Sequence, residues 1–261
     1  MPQKVVLTHI DKRGVASVTL NRPDVNNAYN DEMIKELLRV IKRLSVDDKV
    51  RLIKLQGNGA HFQAGADLNW LAKSAAQSEK ENIEISKRTT NLVRFLNECP
   101  KPTVAIVHGA CVGGGTGLIA ACDIVIASRS AFFSISEVCW GLHAGPILPH
   151  LALVIGVNNI RRFALTGERI DADEGKRIGL VHEVCEHGRH EKLANRIIEK
   201  ILKNAPNAIE DTKRIILETS GMLVDDALAN KLSHDHGLKR RTKEAIEGLQ
   251  SFVEKRAAVW D

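Results

Sequence analysis

The chain has 261 residues, 44% of them hydrophobic and 26% charged, with a formal net charge of +5. That balance is the one ordinary globular proteins carry, and about three quarters of the unfolded surface of a chain this long is covered on folding. A disordered tail, a collagen-like rod and a small disulfide scaffold are thereby excluded, and at about 150 residues per domain one large domain or two unequal ones are expected. No run reaches the roughly 18 apolar residues of a membrane span. Residues 1–13 alternate polar and apolar side chains and lack the apolar block of a signal peptide. The five cysteines (Cys99, Cys111, Cys122, Cys139, Cys185) are odd in number and form no CxxC pair. They read as buried or near-buried thiols in a reducing compartment, so a soluble cytoplasmic protein is expected.

A basic balance suits nucleic acid, a membrane surface or a phosphate-bearing small molecule. The densest cluster, Lys239-Arg240-Arg241 with Lys243, is followed at once by Glu244 and Glu247, as on a solvated helix face. Aromatic residues make up 4% of the chain, too few for base-stacking platforms. Neither nucleic acid nor a membrane is expected as a partner.

In chain order, Val15–Leu20 reads as a strand ending at the turn residues Asn21-Arg-Pro-Asp24. Asn30 is placed to cap a helix with Asp31 and Glu32 in its first turn. Its apolar positions Met33, Ile34, Leu37, Leu38, Val40, Ile41 and Leu44 keep helical spacing. A strand over 51–55, a long helix over 77–97, an apolar strand over 103–107, a helical piece over 118–122 and a strand over 123–128 follow. Strands alternating with helices in this way predict an α/β core. After about residue 150 nearly everything reads as helix: 158–165, 171–178, 189–203, 208–218 and 223–256. The expected division is a core over 1–200 and a helical C-terminal region over 201–261.

Two glycine-rich turns each follow a strand: His61-Phe-Gln-Ala-Gly-Ala-Asp-Leu68 and His108-Gly-Ala-Cys-Val-Gly-Gly-Gly-Thr-Gly-Leu118. Glycines at such turns let the backbone approach a ligand and leave N–H groups free at a helix start, which suits a phosphate or a developing oxyanion. Tight strand–helix packing is the other reading of the same glycines. The spacing is neither a dinucleotide fingerprint nor a Walker A loop. Glu137 sits in the apolar stretch 131–140, where desolvation would raise its pKa into a range useful for proton transfer. An edge-strand or capping role is its alternative. His108 and His143 lie next to glycines, and a lone histidine is usually structural. No spacing suits a metal, so no metal is expected, and no GxSxG elbow is present. Trp70, Trp140 and Phe133 are expected in the core, with an acyl pocket as their alternative.

Together these segments resemble the enoyl-CoA hydratase/isomerase (crotonase) superfamily, in register along nearly the whole chain. Asn21-Arg-Pro-Asp-Val-Asn-Asn-Ala28 is similar to its NRP…NA segment, and Phe62–Leu68 to its F-x-A-G-A-D-[LI] motif. Lys101–Gly115 is similar to the KP…GGG segment and Ala121-Cys-Asp123 to the [AC]CD that follows it. Leu165–Val181 resembles the LTG…GLV stretch and Phe252–Arg256 the terminal F-x-EKR. The resemblance implies a crotonase-like spiral of ββα turns, a C-terminal trimerisation region, and a homo-oligomer, trimer or hexamer. It places the backbone N–H groups of Ala66 and Gly114, the latter opening a helix over 114–122, as the oxyanion hole for a thioester carbonyl. Coenzyme A would then arrive as part of the substrate, with no separate cofactor. It would lie near Ala28, Gln63, Ala64 and Leu68, with Phe252 and Lys255 contributing from the C-terminal helix.

One position departs from the typical hydratase pattern. The family's second glutamate matches Glu137, but the first, in GGG-x-E-L, is Gly117 here. One carboxylate must then do both proton transfers, or another group must hold the water. The expected activity is hydration of a 2-enoyl-CoA thioester with Glu137 as acid/base. A Δ3,Δ2-enoyl-CoA isomerase, which needs a single glutamate, is the alternative, and a weakly catalytic acyl-CoA- or RNA-binding homologue is the second. Gly114-Gly-Thr-Gly-Leu118, Cys122-Asp123, Ser136-Glu-Val138, Gly141-Leu142 and Ile147-Leu-Pro149 further resemble a bacterial branch assigned to methylglutaconyl-CoA hydration in leucine breakdown. That branch also has glycine at the first-glutamate position, whereas His143-Ala-Gly-Pro146 departs from it.

Overall fold

The computed structural model describes residues 4–186 and 188–260, in two compact units that divide between Arg196 and Ile197. In the first unit, β1 (Val6–Ile10) and β2 (Val15–Leu20) form an antiparallel hairpin. The helix α1 (Asp31–Ser45) begins where the Asn30 side chain accepts the Met33 N–H at 3.0 Å. Its face of Met33, Ile34, Leu37, Val40, Ile41 and Leu44 is buried, and each such side chain contributes roughly 1.5–3 kcal/mol.

The chain then repeats one path: a strand in a large sheet, a short strand in a small sheet, and a helical return. The strand β3 (Leu52–Gly57) leads to β4 (Gln63–Ala64), α2 (Leu68–Ala75) and α3 (Glu79–Asn97). Next, β5 (Thr103–Val107) leads to β6 (Ala110–Val112) and α4 (Gly114–Ala120). Finally β7 (Ile124–Ser128) leads to β8 (Phe132–Ser134), a 3-10 turn at Glu137–Trp140 and α5 (Leu148–Thr166). The unit continues through β9 (Ile170–Asp171), α6 (Ala172–Arg177) and β10 (Glu183–Cys185), and α7 (His190–Leu202) spans the division. The large sheet runs β1-β2-β3-β5-β7-β10 and the small one β4-β6-β8-β9. All neighbours are parallel except the β1–β2 and β8–β9 pairs. This is the α/β spiral of ββα turns.

The register of the small sheet matters most. Ala64 pairs with Val112, and Val112 with Ser134. The three parallel strands therefore end level, and the segments leaving them emerge side by side, with neighbouring strands roughly 4.8 Å apart.

In the second unit, α8 (Pro206–Thr219), α9 (Asp226–Lys239) and α10 (Lys243–Val253) follow one another. The Glu244 carboxylate accepts the Asn207 and Ala208 N–H groups at 2.9 and 3.0 Å, satisfying donors that open α8. Arg256 holds Glu247 at 2.6 Å.

The sequence expectations need several corrections. The helical run over 223–256 is two helices, because Thr242 caps a new one by accepting the Ala245 N–H. The strands β9 and β10 lie in the stretch that reads as almost wholly helical, and β6, β8 and α2 carry no clear pattern; at two to eight residues they are too short for one. The helix expected over 114–122 ends at Ala120. Cys99, Cys111 and Cys122 are buried, whereas Cys139 is exposed. Among the described residues, no helix is long and apolar enough to cross a membrane.

Candidate active site

The level strand ends open onto a cavity of about 710 Å³. Its wall includes Ala64 at the end of β4 with Gly65 and Ala66 after it, Gly113 and Gly114 after β6, and Ser136 and Glu137 after β8. On the other side of β4, Tyr29 forms a parallel bridge with Ala66: its N–H donates to the Gly65 carbonyl and its own carbonyl accepts the Asp67 N–H, both at 2.9 Å. That pattern uses the residues flanking Ala66. Among the described residues the Ala66 and Gly114 N–H groups donate to nothing, Gly114 being the first residue of α4, where a helix leaves its N–H groups unpaired.

The four glycines of this loop–helix junction are each required by a neighbour. Gly113 has φ +54° and ψ −123°, a conformation closed to side-chain-bearing residues, and a Cβ there would lie 3.0 Å from Glu137 Oε1. A Cβ on Gly114 would lie 2.6 Å from Tyr29 Cε1, and one on Gly115 2.5 Å from Gln63 Oε1. At Gly117 it would run into the Ile147 side chain, with Ile147 Cβ at 2.7 Å.

Glu137 opens the 3-10 turn, and Gly141 ends that turn at φ +70°. Its Oε2 is buried with no hydrogen-bond partner among the described residues. Burial pushes its carboxyl pKa upward, and the residue's own backbone N–H works weakly the other way. The phenol of Tyr29 is pushed up to about 12, mainly by burial and secondarily by the Glu137 charge, so it stays protonated. Its ring meets Trp70 edge-on at 5.9 Å between centroids.

The N-terminal motif holds this arrangement together. Asn27 Nδ2 donates to the carbonyls of Asn58 and His61, both at 2.8 Å, joining the NRP…NA segment to the first glycine turn. Arg22 pairs with Asp67 at 3.1 Å, and Asp67 caps α2 by accepting the Trp70 N–H. Asp123 of the CD pair accepts from both the N–H and the hydroxyl of Thr103, at 2.7 and 2.9 Å, and so fixes the start of β5.

The structure thus brings Ala66, Gly114, Glu137, Ala64 and Leu68 to one cavity. Gln63 is buried, its amide clasping Gly65 N–H and carbonyl at 3.0 and 3.2 Å, and Ala28 gives its carbonyl to Arg22 Nη1; neither is among the residues lining this cavity. Phe252 and Lys255 lie at and just after the end of α10 in the second unit, where Phe252 is exposed. Trp70 packs against the core and also lines the cavity, Trp140 lines the cavity and is 61% exposed, and Phe133 is fully buried. The sequence reading passed over two residues. Tyr29 directly follows the NRP…NA motif, which was the available signal; Ile147 enters only within the Ile147-Leu-Pro149 segment, and it lies too far from Gly117 in sequence for their contact to be read.

Among the described residues, no cluster of three His, Cys, Asp or Glu side chains is placed to hold a metal ion. The enoyl-CoA hydratase/isomerase family profile matches residues 11–261. A short-chain enoyl-CoA hydratase of Clostridium acetobutylicum is 34% identical, over 95% of this chain and 94% of that protein. A mitochondrial Δ(3,5)-Δ(2,4)-dienoyl-CoA isomerase of Dictyostelium discoideum is 29% identical, over 96% and 88%. The crystal structure of an enoyl-CoA hydratase from Shewanella pealeana superposes with a TM-score of 0.94 at 32% identity, covering 98% of this chain and 96% of that one. With a family match across nearly its whole length and relatives of that family aligned over almost all of both chains, the chain belongs to the enoyl-CoA hydratase/isomerase family.

Proposed function

We propose that the protein hydrates the double bond of a 2-enoyl-CoA thioester, with Glu137 as its acid/base. The observation that carries this reading is the Glu137 carboxylate: its Oε2 is buried without a hydrogen-bond partner among the described residues, and it stands on the wall of the cavity that also presents the unused N–H groups of Ala66 and Gly114.

In this reading the thioester oxygen accepts both N–H groups. Glu137 takes a proton from water while the water oxygen bonds to the β carbon. The electron pair of the double bond moves toward the thioester, and the negative charge gathers on its oxygen. The enolate then takes the proton back from Glu137 at the α carbon, so one water is added and the carboxylate is restored. Pre-aimed donors stabilise such an oxyanion, and a single one is worth roughly 3 kcal/mol. Coenzyme A enters with the substrate, and no other cofactor takes part. The exposed segment Trp140–His143 along the same wall gives water a route to the carboxylate.

A second reading, isomerisation of a 3-enoyl-CoA, is favoured by the apolar Ile147 at the place where a second carboxylate would stand. In it Glu137 removes the α proton and returns it at the γ carbon.

Mass spectrometry of 2-enoyl-CoA and 3-enoyl-CoA panels in ¹⁸O-labelled water, with a methylglutaconyl thioester included, separates the two. Labelled water gained by a 2-enoyl substrate is the expected result. Conversion of 3-enoyl to 2-enoyl thioester without change of mass would replace hydration by isomerisation, and turnover of neither would leave a binding protein. We further infer a homo-oligomer, supported by exposed apolar side chains in the second unit such as Leu249, Phe252 and Val253.

A further inference from the structure

Hydration by a single carboxylate leaves the attacking water half held. Glu137 accepts one of its hydrogens, and the second needs another acceptor if the oxygen lone pair is to face the β carbon. No side chain at position 117 can serve, because Ile147 fills the space beside that glycine. The polar side chains on the cavity wall are Tyr29, Ser86, Thr89, Thr90, Ser136, Glu137 and His143. Thr90 gives its hydroxyl hydrogen to the Ser86 carbonyl at 2.9 Å, and Thr89 reaches the Ile85 carbonyl at 3.4 Å, both within α3. The Ser86 and Ser136 hydroxyls, like the Tyr29 phenol, make no hydrogen bond among the described residues, so position relative to Ala66 and Gly114 decides between them. His143 is exposed, with Nδ1 taken by the Gly145 N–H at 3.1 Å.

Tyr29 borders both N–H groups and lines the same cavity as Glu137. Its backbone brackets Ala66, its ring packs on Gly114, and its phenol lies in the field of the Glu137 carboxylate. The phenol oxygen forms no hydrogen bond among the described residues. Gly114 and Gly117 are three residues apart in α4 and so face the same side of the helix. The ring on Gly114 is therefore one turn from Gly117, the position that resembles the family's first glutamate. Tyr29 is also the one tyrosine of the chain.

We propose that Tyr29 is a catalytic residue of the hydration, its phenol oxygen accepting the water hydrogen that a second carboxylate would otherwise take. The proposal rests on the hydratase reading. The proton balance is unchanged by it: Glu137 alone takes and returns the proton, and Tyr29 only holds the water.

The test is Tyr29→Phe, which keeps the ring against Gly114 and Trp70, with two reactions measured side by side. One is hydration of 2-butenoyl-CoA. The other is exchange of the α hydrogens of butyryl-CoA with deuterated water, which needs Glu137 and the two N–H groups but no attack at the β carbon. The expected result is a roughly ten- to hundred-fold lower kcat for hydration, an almost unchanged KM, and exchange at the wild-type rate. Unchanged hydration in Tyr29→Phe overturns the Tyr29 role and leaves the hydratase reading standing. An equal loss of both reactions also overturns it, because the residue would then be shaping Glu137 or the N–H pair. A wild-type protein that exchanges but never hydrates defeats the hydratase reading, and the Tyr29 role with it. Since Tyr29→Phe could fail to fold, Tyr29→Leu and a thermal melt of both variants show whether lost hydration tracks the hydroxyl or the ring.

Discussion

Ile147 Cβ stands 2.7 Å from the point that a Cβ on Gly117 would occupy. The two positions are a matched pair: an apolar side chain at the start of α5 fills the space that a glycine in α4 leaves. The glycine at position 117 is therefore built into the packing, since a glutamate could not enter without moving Ile147. Gly117→Glu alone is expected to lose about 1–3 kcal/mol of stability, as overpacked cores do. The double variant Gly117→Glu, Ile147→Ala should recover much of that loss. Urea unfolding with an unchanged slope measures both, and a single variant as stable as wild type would show that Ile147 does not close the site.

Gly113 is expected to matter for rate as well as for folding. Gly113→Ala adds a methyl 3.0 Å from the Glu137 carboxylate at a backbone conformation that only glycine adopts easily. The strain costs about 1–3 kcal/mol, and displacing Glu137 should lower kcat by roughly a hundred-fold, the low end of acid–base contributions. Gly156 is the control, with φ +76° and nothing within 4 Å of an added Cβ. Gly156→Ala should cost stability while kcat stays near wild type. Equal kcat in the two variants would count against the Glu137 contact.

The pH profile should carry the mark of the buried carboxylate. Burial raises the Glu137 pKa above the ordinary 4.5. Hydration needs the ionised form, so kcat/KM should fall as pH drops, with a limb displaced upward from an ordinary glutamate. The stability sign is opposite to that of a paired carboxylate. Ionisation of Glu137 is harder in the folded state, so its contribution to stability is lost as pH rises from 4.5 through the folded pKa. In Glu137→Gln the limb should vanish along with most of the activity while the fold persists. A fully active variant, or a limb that survives it, would remove Glu137 from its role.

Asp67 ties the turn that follows β4 to α2. Burial pushes its carboxyl up, but the Trp70 N–H cap and the Arg22 partner outweigh this and hold it below the usual 3.8. Its stabilising effect is therefore present above pH 3.8 and disappears as pH falls through the lower folded value. Asp67→Ala should cost about 1–2 kcal/mol, with most of the loss traced to the cap. Asp67→Asn keeps the cap acceptor and should cost less. Because Ala66 is its immediate neighbour, both variants should also weaken turnover, and the Asn form by the smaller factor.

Much of this molecule is legible in the sequence because it is local. The cap at Asn30, the apolar face of α1, the apolar strand β5 and the glycine turns each follow from residues a few positions apart, where backbone preference and helical or strand periodicity act. Glu137 can be singled out from its apolar neighbourhood, whereas Ala66 and Gly114 are named by the resemblance of several motifs taken together in order. What joins them is not local. Ala64, Val112 and Ser134 become neighbours only because β4, β6 and β8 pair in parallel and in register, and parallel pairing links residues far apart in the chain. The same distance hid Ile147 behind Gly117 and the Tyr29 ring against Gly114, and it left Trp140 exposed beside the cavity instead of buried in the core. The sequence by itself determined which chemical groups are present and how each turn is shaped. The tertiary structure decided which groups share a cavity, because side chains close-pack across elements and steric exclusion between distant residues sets that packing.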